Sequence, residues 1–113
     1  SAVTSHFHIA VIDIYAYCAY NLDSKMKFQF DPAKAKSNFK KHNVSFADAE
    51  GVFYDPLAIH MEDPDSMQEE RWITVGMSSA NQLLVVVYTF RGDEIRLISA
   101  RQATAHEVKV YEG

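Results

Sequence analysis

The stretch EERWITVGMSSANQLLVVVYTFRGDEIRLISARQAT constrains the fold more than any other part of this chain. Runs rich in β-branched and aromatic residues are cut by SSAN and RGD, which have turn composition. The pattern predicts three consecutive strands at about 70–78, 82–90 and 94–101, and strands joined this closely pair antiparallel. LLVVV is apolar at successive positions, so both faces of the middle strand are expected to be covered, which makes it central.

Upstream, KFQF predicts a short first strand. Asp31 followed by Pro32 opens a helix, with a carboxylate N-cap and a proline that fits the first helical position. That helix runs through KAKSNFKKH and stops near Asn43, a residue that tolerates the left-handed helix end. Ser45 caps a second helix, FADAEGVFYD, whose Phe46, Ala49, Val52 and Phe53 form an inward stripe. Gly51 within it costs about 1 kcal/mol relative to alanine, a cost that close packing at this point would justify. Pro56 ends the helix, LAIHME predicts a further strand, and DPDSMQE a polar loop. Thr104 to Glu107 spells a T-x-x-E capping box opening a short last helix through Tyr111. The fold class expected is α+β: a small antiparallel meander with two N-terminal helices and a short C-terminal helix.

Residues 1–25 differ from the rest and are read as a separate segment preceding a domain over 26–113. Met26 is a candidate natural start, and the alternative for the preceding segment is an added edge strand or a dimer-swapping arm. HIAVIDIYAYCAY lacks the cationic start of a signal peptide. No run of about 18 apolar residues predicts a membrane span. The single cysteine, Cys18, excludes an internal disulfide and a multi-cysteine zinc site, and fits a reducing, cytoplasmic setting. No cofactor motif is present: there is no P-loop, G-x-G-x-x-G or G-x-S-x-G. The cluster HMEDPD offers His60, Glu62, Asp63 and Asp65 without calcium-loop spacing, so an acidic surface loop is expected and no metal site.

A formal charge of −4 argues against broad coating of nucleic acid but leaves room for a local basic site. All four arginines, Arg71, Arg91, Arg96 and Arg101, fall in the meander. Guanidinium groups gathered on one sheet suit an anion, a phosphodiester above all.

The segments FDPAKAKSNFKKHNVSFADAEGVFYDP, EERWITVG, LLVVVYTFRG and IRLISARQAT, in this order, closely resemble the BrnT toxin family of type II toxin–antitoxin systems. The resemblance covers about residues 26–112. Asn43 stands where the family usually has the glycine of a KHG segment, and residues 1–25 have no counterpart. The resemblance implies a fold related to the RelE-type ribonuclease toxins. It also implies RNA cleavage that arrests translation, and a BrnA-type antitoxin that covers the toxin and carries the DNA-binding part. DNA would then be met only through the antitoxin, and the assembly would be a homodimer or a mixed hetero-oligomer.

Metal-free RNA cleavage needs a base for the 2′-hydroxyl proton, cations for the phosphorane and an acid for the leaving oxygen. Arg71 and Arg101 are the expected phosphate clamps, set against salt bridges to Glu69, Glu70 or Glu94. Arg91, in the RGD turn, Arg96, Lys40 and Lys41 are candidate RNA contacts. An odd separation puts Arg96 and Arg101 on opposite faces unless a bulge intervenes. Alternation places Arg71, Ile73 and Val75 on one face, and the more apolar face is expected to meet the helices. That leaves Glu70, as base, and Trp72, as a base-stacking platform, on the open face, against a Trp in the core. Tyr88 is a candidate proton donor, against a core tyrosine with a satisfied hydroxyl. His42, with Lys40 and Lys41 beside it, ends the first helix, where the dipole favours its protonated form, against a simple capping role. The competing functions are a noncatalytic module that grips a partner protein and, with no helix-turn-helix in support, a DNA-binding regulator.

Overall fold

A computed structural model describes residues 26–64 and 70–113. The readings of residues 1–25 and of residues 65–69 in the DPDSMQE loop lie outside them. The described residues form one five-stranded sheet in the order β1-β5-β4-β3-β2. The strands are β1 (Phe28–Gln29), β2 (Ile59–Glu62), β3 (Trp72–Met77), β4 (Leu83–Arg91) and β5 (Glu94–Gln102). The helices are α1 (Pro32–His42), α2 (Phe46–Glu50) and α3 (Ala105–Glu112), with a 3-10 turn at Gly51–Tyr54.

The expected meander is β3-β4-β5, antiparallel throughout, and β2 extends it antiparallel to β3. The sheet is nevertheless mixed, because β1 runs parallel to β5. The link between them holds every other element except α3, which is the long crossover a parallel pair requires.

Local chemistry sets the boundaries. Asp31 Oδ1 accepts from Ala33 N at 2.9 Å with Pro32 at the helix start, and Asn43 closes α1 at φ 57°. Ser45 Oγ accepts from Asp48 N at 3.1 Å. The second helix is shorter than its composition predicts, tightening into the 3-10 turn from Gly51 onward. A Cβ at Gly51 would meet Ser79 N at 2.6 Å, so glycine is there to let the turn approach the β3–β4 loop. In the β4–β5 hairpin, Gly92 is the first of the two turn residues and has φ 63°, as a type II′ turn requires. At the last helix, Thr104 Oγ1 accepts from Glu107 N and the Glu107 carboxylate from Thr104 N at 2.8 Å, which is the predicted capping box.

The core lies between the sheet and the α1–α2 layer. Phe46, Ala49, Val52 and Phe53 pack with Trp72, Leu84, Val86, Tyr88, Ile95, Leu97 and Ala100. Asn38, buried in α1, reaches the rim of β5 beyond the end of β1. It donates Nδ2 to Ala100 O at 2.8 Å and accepts Ala100 N at 3.1 Å on Oδ1. Its amide thus stands in for a neighbouring strand and closes backbone groups that would otherwise template pairing. Asp55 performs a similar join at the other end of the core. Its Oδ2 accepts Met77 N at 2.8 Å and the Tyr111 hydroxyl at 2.6 Å, tying the 3-10 turn to β3 and α3.

Candidate functional site

The two faces of the sheet are assigned by cross-strand register, since paired residues share a face. Leu84, Val86 and Tyr88 of β4 belong to the core, so Val85, Val87, Thr89 and Arg91 point the other way. On β5, Tyr88 pairs with Leu97 but Val87 pairs with Ser99, leaving Ile98 as one extra residue. This is a β-bulge, and it resets the alternation. Arg96 pairs with Thr89 and Arg101 with Val85, so both arginines emerge from the face opposite α1 and α2. The β2–β3 ladder continues one step past Glu62 and Trp72, with Asp63 N donating to Arg71 O at 2.9 Å. Trp72 is in the core, so Arg71 also projects from the opposite face. All four arginines of the chain therefore leave one face of one sheet.

The expected orientation of β3 is the reverse of the observed one. Trp72 and Thr74 face the helices, while Arg71, Ile73 and Val75 face away. The reason is the neighbouring strand: Trp72 and Thr74 pair with Tyr88 and Val86, whose side chains the helices cover. Trp72 is 6% exposed within the core and offers no face to a base, so its role as a stacking platform is withdrawn.

Tyr88 is withdrawn as well. It is 1% exposed and edge-on to Phe53, and its hydroxyl lies 3.0 Å from His60 Nδ1. Burial raises its pKa, so the hydroxyl stays protonated and spent on His60. His60 is no acidic-loop residue but a buried member of β2. Burial lowers its pKa to about 4, against a smaller opposing pull from Asp55, and keeps the imidazole neutral. Among the described residues no three His, Cys, Asp or Glu side chains are placed to hold a metal ion.

The arginines differ in their partners. Arg101 makes a two-pronged bond to Glu107, at 2.8 Å on each carboxylate oxygen. That bond and the Thr104 backbone hold the Glu107 carboxyl down at about 2. Arg71 pairs with the buried Asp63 at 3.5 Å. Neither Asp63 nor Glu107 is among the carboxylates expected for these salt bridges, Glu69, Glu70 and Glu94, of which Glu69 lies outside the described residues. Arg96 donates Nη1 to Gln29 Oε1 at 3.0 Å, and among the described residues this neutral amide is its one polar partner. Arg91 is exposed at the end of the hairpin, opposite Glu94.

Gln29, Asp63 and Glu107 were not foreseen as members of this face. Only Glu107 had a readable signal, the capping box, which places its carboxylate at the start of α3 and within reach of Arg101. Glu70 is exposed beside Arg71, and its carbonyl accepts the Thr89 hydroxyl at 2.6 Å. Lys40, Lys41 and His42 form the last turn of α1. They belong to the helical layer, and the fold does not bring them onto the arginine face.

A small α+β protein built on a single sheet, with its first two helices on one side and its arginines on the other, is the class these observations define. The chain belongs to the BrnT family, ribonuclease toxins of type II toxin–antitoxin systems, whose family model matches residues 30–107. Among solved structures it is similar to the Brucella abortus ribonuclease toxin BrnT, known at 1.1 Å resolution. The two share 26% identity and superpose with a TM-score of 0.53, over 70% of this chain and 97% of that one. No curated protein matches the chain in sequence. No described helix is long and apolar enough to cross a membrane.

Proposed function

We propose that this chain is a toxin that cuts RNA phosphodiesters with its own side chains, without a resident metal, and so halts translation in the cytoplasm until a BrnA-type antitoxin covers it. The carrying observation is the β5 bulge, which gathers the chain's guanidinium groups on one face. Cations there can take up the charge that builds on phosphorus as the 2′ oxygen attacks. A base accepts the 2′-hydroxyl proton, the bond from phosphorus to the 5′ oxygen breaks, and that oxygen leaves with a proton from water. The expected base, Glu70, is not on this face, because the alternation that turns Arg71 outward turns Glu70 with Trp72 to the other side. The antitoxin would reach DNA on the toxin's behalf, in a homodimeric or mixed assembly. The domain responsible is residues 26–113, with residues 1–25 outside the catalytic part.

The test is cleavage of single-stranded RNA by purified, antitoxin-free protein in EDTA. Cleavage that Arg71→Ala reduces at least tenfold is expected. Intact RNA at high concentrations of folded protein refutes the proposal. A second reading, a noncatalytic module acting only through its partner, draws on one observation: Arg71 and Arg101 are already matched to carboxylates. Toxicity on expression that survives Arg71→Ala, Arg101→Ala and His42→Ala together would favour it.

A further inference from the structure

Resting on the ribonuclease reading, we propose that Arg96, held by Gln29, is the principal phosphodiester-binding group of the arginine face, and that Gln29 is its positioning residue.

Arg71 and Arg101 must each give up a carboxylate to take a phosphate. Arg101 is held by both carboxylate oxygens of Glu107, a two-pronged bond that a phosphate would have to replace. Asp63 is buried, and a carboxylate left there without its arginine would be costly. Arg96 faces neither cost. Its guanidinium is half-buried and fixed through one nitrogen by an uncharged side chain. It therefore keeps its full charge and its remaining N–H donors for an external anion. Gln29 is well suited to the task because β1 pairs it directly with Arg96, and Phe28 before it packs against the core, which sends Gln29 to the arginine face.

Register extends the site into a row. Gln29 is paired with Arg96, Arg96 with Thr89, and Arg71 stands next in line on β3. Strands are about 4.8 Å apart, so Arg96 and Arg71 rise about 10 Å from each other. Side chains of that length can close on one phosphodiester from both sides. Arg96 binds first and Arg71 follows.

The experiment is binding of a short single-stranded RNA methylated at its 2′ oxygens, which cannot be cut, measured by anisotropy across salt concentrations. Gln29→Glu places a carboxylate against Arg96 and makes it resemble its compensated neighbours. Affinity is expected to fall about tenfold or more, the loss of one charge-assisted bond. The slope of log K against log salt should flatten by about 0.7, the loss of one phosphate contact to a single strand. Gln29→Ala leaves the charge unpaired but untethered, so affinity falls less and the slope stays that of the wild type. Arg96→Ala should match Gln29→Glu, with unchanged thermal melting confirming that each variant folds. A wild-type slope in Gln29→Glu overturns the proposal, as does displacement of the RNA by polyglutamate at equal charge. Cleavage in EDTA is scored separately on unmethylated RNA. If wild-type protein binds as described but never cuts, the ribonuclease reading fails and the anion site stands.

Discussion

Acidification should weaken this fold through one buried imidazole. His60 is 5% exposed, hydrogen-bonded to Tyr88 and beside Phe53. Its pKa is about 4 in the folded protein, against 6.5 for a free imidazole. Above pH 6.5 both folded and unfolded chains hold it neutral. Between 6.5 and 4 the unfolded chain takes up a proton that the folded chain refuses, so stability falls with pH across that window and levels below it. At about 1.4 kcal/mol per pH unit, the fall from pH 6.5 to 5 amounts to about 2 kcal/mol from this residue. Urea titrations at pH 7 and 5, followed by fluorescence of the single tryptophan, Trp72, measure it. His60→Asn keeps a polar atom near the Nδ1 position and removes the titration. The comparison is the pH dependence within each protein, so any general loss of stability in the variant cancels. Wild-type and His60→Asn proteins losing equal stability between the two pH values would refute the reasoning.

Other substitutions test separate parts of the structure. Asn38→Ala removes the bonds to both Ala100 backbone groups and to Val44 O at 3.1 Å, and should cost about 3 kcal/mol in urea unfolding at pH 7. Gly51→Ala gains helix propensity but drives a methyl group toward Ser79 N at 2.6 Å. Overpacking of about 1–3 kcal/mol should outweigh the gain, lowering the melting temperature. Thr74 Oγ1 is buried with no hydrogen-bond partner, so Thr74→Val should raise stability by about 1 kcal/mol in the same urea assay.

Elements marked by local chemistry could be read ahead of the structure. Asp31-Pro32, Ser45 and the Thr104–Glu107 box each name a backbone donor to be satisfied within three residues, and each does so in the fold. The meander was readable for a similar reason, since its turns are short and its strands adjoin. What failed was the orientation of β3. Trp72-Ile73-Thr74-Val75 alternates between two faces of nearly equal apolarity, so the side that meets the helices is decided by β4, outside the segment. The site was harder still. Arg101 meets Glu107 six residues on, but Arg96 meets Gln29 across 67, a separation no local pattern encodes. The parallel pairing of β1, two residues long, belongs to the same class.

Ile98 carries a consequence for how such a surface can change over time. Because it is the odd residue in its strand, drawing it into the ladder would slip the register by one and turn everything from Ser99 to Gln102 over, sending Arg101 into the oily interior and Ala100 out to water, whereas deleting it would leave every later residue on its present face. Most exchanges of one amino acid for another leave that parity untouched. The charge on the arginine-bearing side is thus governed by which residue stands outside the ladder as much as by which residues the strand contains.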